Sequence, residues 1–125
     1  MQKMKKLPDA EFEIMKVVWS SEHPVTTSII MEKLGYEKEW LIQSVVTLMT
    51  RLVNRGFLKS EKNGKERSYY PLVEREDYLK FETSMFIKQY HENSFIHLVN
   101  TLNDDKALSS KDIDELVEWL KERKE

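Results

Sequence analysis

The run Leu41-Ile-Gln-Ser-Val-Val-Thr-Leu-Met-Thr-Arg-Leu-Val-Asn-Arg-Gly56, followed by Phe57-Leu-Lys-Ser-Glu-Lys62 and Glu66-Arg-Ser-Tyr-Tyr-Pro-Leu72, decides the fold. In the first run Val45, Leu48, Met49, Leu52 and Val53 share one helical face, at offsets 0, 3, 4, 7 and 8. The opposite face carries Gln43, Thr47, Thr50 and Asn54, flanked by Ser44 and Arg51, and Gly56 supplies a C-cap. The periodicity then shortens to that of strands, and Asn63-Gly64 between the two short runs is a strong hairpin signal. Tyr69 and Tyr70 fall on opposite faces of the second strand, so one ring is expected in the core.

Upstream, Asp9 after Pro8 reads as the N-cap of a first helix over about 9–21. Ala10, Ile14, Val17 and Val18 form one apolar stripe, and Phe12, Met15 and Trp19 a second, as a central scaffold helix requires. His23-Pro24 ends it. Thr26, Thr27 and Ser28 are all N-cap types for a short second helix closed by Gly35. Three helices, the third running straight into a basic hairpin, give the order of a winged helix over residues 1–73. The expected fold is therefore mainly α with a small β-hairpin wing.

Residues 74–125 return to helical patterning, with one helix to about residue 91, a short one through Phe95–Leu102, and a last one opened by a Ser109/Asp112 capping box. Three short helices build little core of their own. Phe81, Met85, Phe95, Leu98, Val99, Leu102, Leu116 and Leu120 are therefore expected at the interface of a homodimer, and this segment is read as a dimerisation domain. A fragment ending near residue 75 is expected to fold as a monomer.

The 125 residues include no Cys, which removes disulfides, thiolate metal sites and cysteine catalysis. There is no apolar run of signal-peptide or membrane-spanning length, so the expected location is cytoplasmic. His91 and His97 are six apart and His23 is remote, so neither a metal nor another cofactor is expected. No phosphate loop, nucleophile motif or carboxylate–His cluster marks an enzyme.

The formal charge of −2 hides a segregation. Residues 51–70 hold Arg51, Arg55, Lys59, Lys62, Lys65 and Arg67 against Glu61 and Glu66, whereas residues 104–125 hold eight acids against five bases. A local basic field is what double-stranded DNA requires. Gln43, Ser44 and Thr47, near the start of the third helix, are placed to reach base edges, with Thr50 on the same face. Arg51, Arg55, Lys62, Lys65 and Arg67 suit phosphates, and Thr27 suits a further backbone contact. The same polar residues also fit a solvated helix face, and a winged helix that binds only protein is the competing reading.

With these features in place, the sequence resembles the penicillinase-repressor family of BlaI/MecI type. The resemblance rests on Leu7-Pro-Asp-Ala-Glu-Phe-Glu-Ile-Met-Lys-Val-Val-Trp19, Thr47-Leu-Met-Thr-Arg-Leu-Val-Asn-Arg-Gly-Phe-Leu58 and Ala107-Leu-Ser-Ser-Lys-Asp-Ile-Asp-Glu-Leu116. It implies a homodimeric repressor of β-lactam resistance genes on a palindromic operator. It also implies relief by proteolysis around Asn100, Thr101 and Leu102, driven by a membrane sensor; packing at the dimer interface is the other role open to Leu102. Ile42 and Val46 depart from the family's usual residues at the third helix, which bears on base preference. A copper-sensing branch uses a Cys-rich tail, a mode excluded here.

Overall fold

The computed structural model describes residues 4–124. These divide into two compact units, the first ending at Glu82 and the second beginning at Thr83.

The first unit is built on α1 (Asp9–Ser20), which buries Glu11, Ile14, Met15 and Val18 along one side. Asp9 is the first helical residue rather than the cap. Pro8 precedes the helix in extended conformation, and its carbonyl accepts the Phe12 N–H at 2.9 Å. The Asp9 carboxylate thus lies in the first turn, where the helix dipole favours an anion. Helix α2 (Thr27–Ile30) is capped by the Thr26 hydroxyl, which accepts the Ile29 N–H at 3.3 Å. It continues into a wider π-type turn over Met31–Gly35. Gly35, expected to close the helix, lies inside that turn against Met31 and is buried.

Helix α3 (Ile42–Asn54) buries Val45, Met49 and Leu52, the face its spacing predicts. It ends in a Schellman motif: the Phe57 N–H donates to the Leu52 carbonyl at 2.9 Å and the Gly56 N–H to Val53 at 3.0 Å. Gly56 sits at φ 83, the left-handed backbone this motif needs.

Strands β1 (Leu58–Asn63) and β2 (Glu66–Pro71) pair antiparallel from Leu58 opposite Pro71 to Asn63 opposite Glu66. That register makes Gly64-Lys65 the two-residue loop, one residue later than expected, with Asn63 still in the ladder. Gly64 takes φ 72 at the first loop position, the place a II′-like hairpin turn reserves for glycine. Val25 bridges to Tyr69 through two backbone hydrogen bonds of 3.0 and 2.8 Å, which ties the α1–α2 loop to the hairpin. Tyr69 is buried and Tyr70 half-buried, in line with the alternation.

Helix α4 (Arg75–Tyr90) starts within the first unit, and Tyr78 is wholly buried there. Its ring meets Phe12, Trp19, Phe57 and Phe81 at centroid distances between 5.4 and 6.1 Å. Its phenol oxygen accepts the Leu7 N–H at 2.8 Å, and the Trp19 indole donates to the Val73 carbonyl at 2.9 Å. The first unit therefore extends to Glu82, past the boundary at residue 73 expected from the sequence. Phe81, expected at a dimer interface, is half-buried against this core.

In the second unit α4 passes to α5 (Phe95–Asp104) through Glu92 and Asn93, both left-handed at φ 52 and 61. That turn brings His91 Nδ1 within 2.8 Å of His97 Nδ1, with the His91 ring 5.2 Å from Phe86. Helix α6 (Ser110–Arg123) opens with the expected capping box, Ser109 and Asp112 exchanging hydrogen bonds of 3.0 Å. Neither α5 nor α6 contains a buried residue. No helix among the described residues is long and apolar enough to cross a membrane.

Candidate nucleic-acid interface

The start of α2, α3 and the hairpin line one open cleft of the first unit, and all the residues expected to contact DNA except Arg55 lie on these elements. Burial of Val45, Met49 and Leu52 turns Gln43, Ser44, Thr47, Thr50 and Arg51 outward, and all five are exposed. Helix α3 has no acidic residue from end to end.

Two of the hydroxyls already have partners. Thr47 Oγ1 donates to the Gln43 carbonyl at 3.0 Å and Thr50 Oγ1 to the Val46 carbonyl at 2.9 Å. Both keep lone pairs but turn their proton into the helix. Gln43 and Ser44 are thus the freer hydrogen-bonding groups at the leading end of α3.

Lys62, Lys65 and Arg67 are exposed on the hairpin, Arg67 resting on Ser60 through a 3.1 Å hydrogen bond. Among the described residues, Arg51, Lys62, Lys65 and Arg67 enter no ion pair, whereas Lys59 beside them is held by Glu61 at 2.9 Å. The remaining acid of the hairpin, Glu66, accepts the Ser28 hydroxyl, which links the wing to the start of α2 beside half-buried Thr27.

Arg55 does not join this face. Its guanidinium Nε lies 2.6 Å from Oε1 of Glu11, a buried carboxylate of α1. Burying a carboxylate demands a partner, and Arg55 serves as one instead of taking the phosphate role expected for it. Nothing local in the sequence announces the pair, because the two residues are far apart along the chain.

An acid-free helix face beside unpaired hairpin cations, on three helices and a hairpin, defines a winged helix-turn-helix domain. Residues 7–122 match the penicillinase repressor family, and the chain belongs to that family. It is 27% identical to the penicillinase repressor of Bacillus licheniformis over 99% of this chain and 96% of that one. It is 34% identical to the methicillin resistance regulatory protein MecI of Staphylococcus aureus (strain N315), over 88% of this chain and 89% of that one. The solution structure of the DNA-binding domain of the repressor BlaI superposes with a TM-score of 0.55 at 31% identity, covering 62% of this chain and 94% of that one. The monomeric form of Bacillus licheniformis BlaI in complex with the blaP half-operator superposes with a TM-score of 0.51, also at 31% identity and with the same coverage.

Proposed function

We propose that this chain is a transcriptional repressor, not an enzyme, that acts in the cytoplasm as a homodimer on a palindromic operator controlling β-lactam resistance genes. The observation that carries the reading is the exposed, acid-free face of α3 flanked by unpaired cations at Arg51, Lys62, Lys65 and Arg67. Gln43, Ser44, Thr47 and Thr50 meet base edges in the major groove, while Thr27 and the four cations hold the flanking backbone. A relative at 31% identity forms a complex with a half-operator, which supports duplex DNA as the partner of this unit.

The second unit supports the homodimer. Met85, Phe95, Leu102 and Leu120 are 37 to 58% exposed, and Leu98, Val99 and Leu116 are half-buried. Apolar surface on that scale calls for a covering partner, and a second copy supplies a self-complementary one. Dimerisation is thus read as carried by the second unit, residues 83–125.

Relief of repression follows from proteolysis around Asn100, Thr101 and Leu102 by a membrane sensor-protease system. These residues lie within α5, with Thr101 Oγ1 bonded to the His97 carbonyl at 2.9 Å. A protease binds extended backbone, so cleavage requires the last turns of α5 to open first.

The test is selection of bound fragments from the source genome, followed by affinity at two salt concentrations. Enrichment of a palindrome near a β-lactamase or sensor gene, bound more weakly at high salt, is the expected result. No enrichment at either salt sinks the reading in favour of a module that binds only protein.

A further inference from the structure

Resting on the reading of α3 as the DNA-facing helix, we infer that Ile42 and Val46 determine specificity by contacting the C5-methyl groups of thymine. Of the other β-branched apolar residues of the first unit, Ile14, Val18, Val25, Ile30 and Val45 are at 0% exposure and Val17, Ile29, Val53 and Val73 are half-buried. Ile42 and Val46, one turn apart on α3, are instead 56% and 41% exposed. Two β-branched side chains facing water on successive turns are a standing cost to an isolated domain.

Their surroundings indicate what covers them. Ile42 and Val46 border an open cleft of about 350 Å³ between α3, the start of α2 and the hairpin. Tyr36, itself 67% exposed, extends its apolar side, while Lys65 and Arg67 stand on its hairpin wall on either side of Glu66, whose carboxylate is engaged by the Ser28 hydroxyl. The cleft thus joins an apolar strip to unpaired cations. A free anion would use the cations and leave Ile42 and Val46 wet. A duplex carrying thymine satisfies both, because thymine alone among the four bases presents a methyl group in the major groove, within reach of the flanking phosphates. The engaged hydroxyls of Thr47 and Thr50 strengthen the case, since they shift reading along this helix toward shape and apolar contact.

The test uses the full chain and the duplex recovered by genomic selection, each thymine of one half-site being replaced in turn by 2′-deoxyuridine. Uracil pairs as thymine does and removes only the methyl. The expected result is a loss of roughly fourfold in affinity at one or two positions, the scale of one apolar carbon removed from water. In Ile42→Ala and Val46→Ala that uracil penalty disappears at the matching position. Both side chains are exposed, so the variants are expected to fold, and their helix content and salt-dependent binding to unselected DNA serve as the check. Equal binding of every uracil duplex by the unmodified chain overturns the inference. So does a uracil penalty that persists undiminished in both variants. A chain that binds no DNA at any salt overturns this inference together with the proposed function, an outcome distinct from tight binding indifferent to the methyl groups.

Discussion

The Arg55 guanidinium donates to the Glu11 carboxylate at 2.6 Å, and that contact fastens the C-terminal end of α3 to the first turn of α1. The pair is lopsided: Glu11 is 1% exposed whereas the Arg55 side chain is 36% exposed. Removing the arginine strands a charge in the core; removing the acid leaves a cation that turns to solvent. Arg55→Ala is therefore expected to cost about 3 kcal/mol and Glu11→Gln only about 1 kcal/mol. Denaturant titration of both variants reads the asymmetry, and equal losses would contradict it. Folded Arg55→Ala is also expected to keep the salt slope of DNA binding, because this residue is not on the α3 face.

Tyr78 gives the fold an alkaline limit. Burial pushes its phenol up to about 12, the N–H of Leu7 works against that shift, and the Glu82 carboxylate adds to it. The unfolded chain loses this proton near pH 10, while the folded chain holds it to about 12. Between those values the folded state binds more protons, so stability falls as pH rises. Unfolding midpoints measured from pH 9 to 12 should decline, and Tyr78→Phe should flatten that decline while costing the Leu7 hydrogen bond at neutral pH.

The same residue sets where the chain can be cut. A fragment ending at Glu82 keeps Tyr78 and Phe81 in the aromatic cluster and is expected to be folded and monomeric. A fragment ending at Arg75 loses Tyr78, the hub of that cluster, at a cost on the order of 3–5 kcal/mol. Calorimetry on the two fragments separates them; identical melting temperatures would remove Tyr78 from its central place.

The hairpin turn offers a probe of the wing. A Cβ at Gly64 meets nothing within 4 Å, so any penalty of Gly64→Ala comes from its φ of 72 alone. That penalty is about 1 kcal/mol, and it falls on the wing. The variant is expected to bind operator several-fold more weakly while Lys62→Ala and Lys65→Ala each reduce the salt slope by about one. An unchanged slope in both lysine variants would place the wing off the DNA.

Much of this was legible in the sequence where the cause is local. The α3 stripe, the Schellman glycine Gly56, the Ser109 capping box and the two strands follow from spacing and turn chemistry within a few residues. The hairpin loop slips by one because Asn63-Gly64 and Gly64-Lys65 both place a glycine at a loop position, and only the pairing of Asn63 with Glu66 decides between them. Non-local relationships were not legible. The Glu11–Arg55 pair joins two helices, Tyr78 belongs to a core assembled largely from upstream residues, and Phe81 follows it. His91 and His97 are wrongly spaced for one helix face. They meet because Glu92 and Asn93 adopt left-handed backbone, a choice their residue types permit without demanding.

The bridge between Val25 and Tyr69 makes the hairpin a cantilever. Its root is held by backbone bonds on two sides, while Glu61 to Arg67 are exposed throughout. Amide hydrogens at Val25 and Tyr69 should exchange slowly, near the rate of global opening, and those at the tip orders of magnitude faster. With the root fixed by backbone bonds and the tip held, among the described residues, only by the Ser28–Glu66 side-chain contact, the hairpin cations can adjust over an approaching duplex while the base-reading helix stays in register with the core.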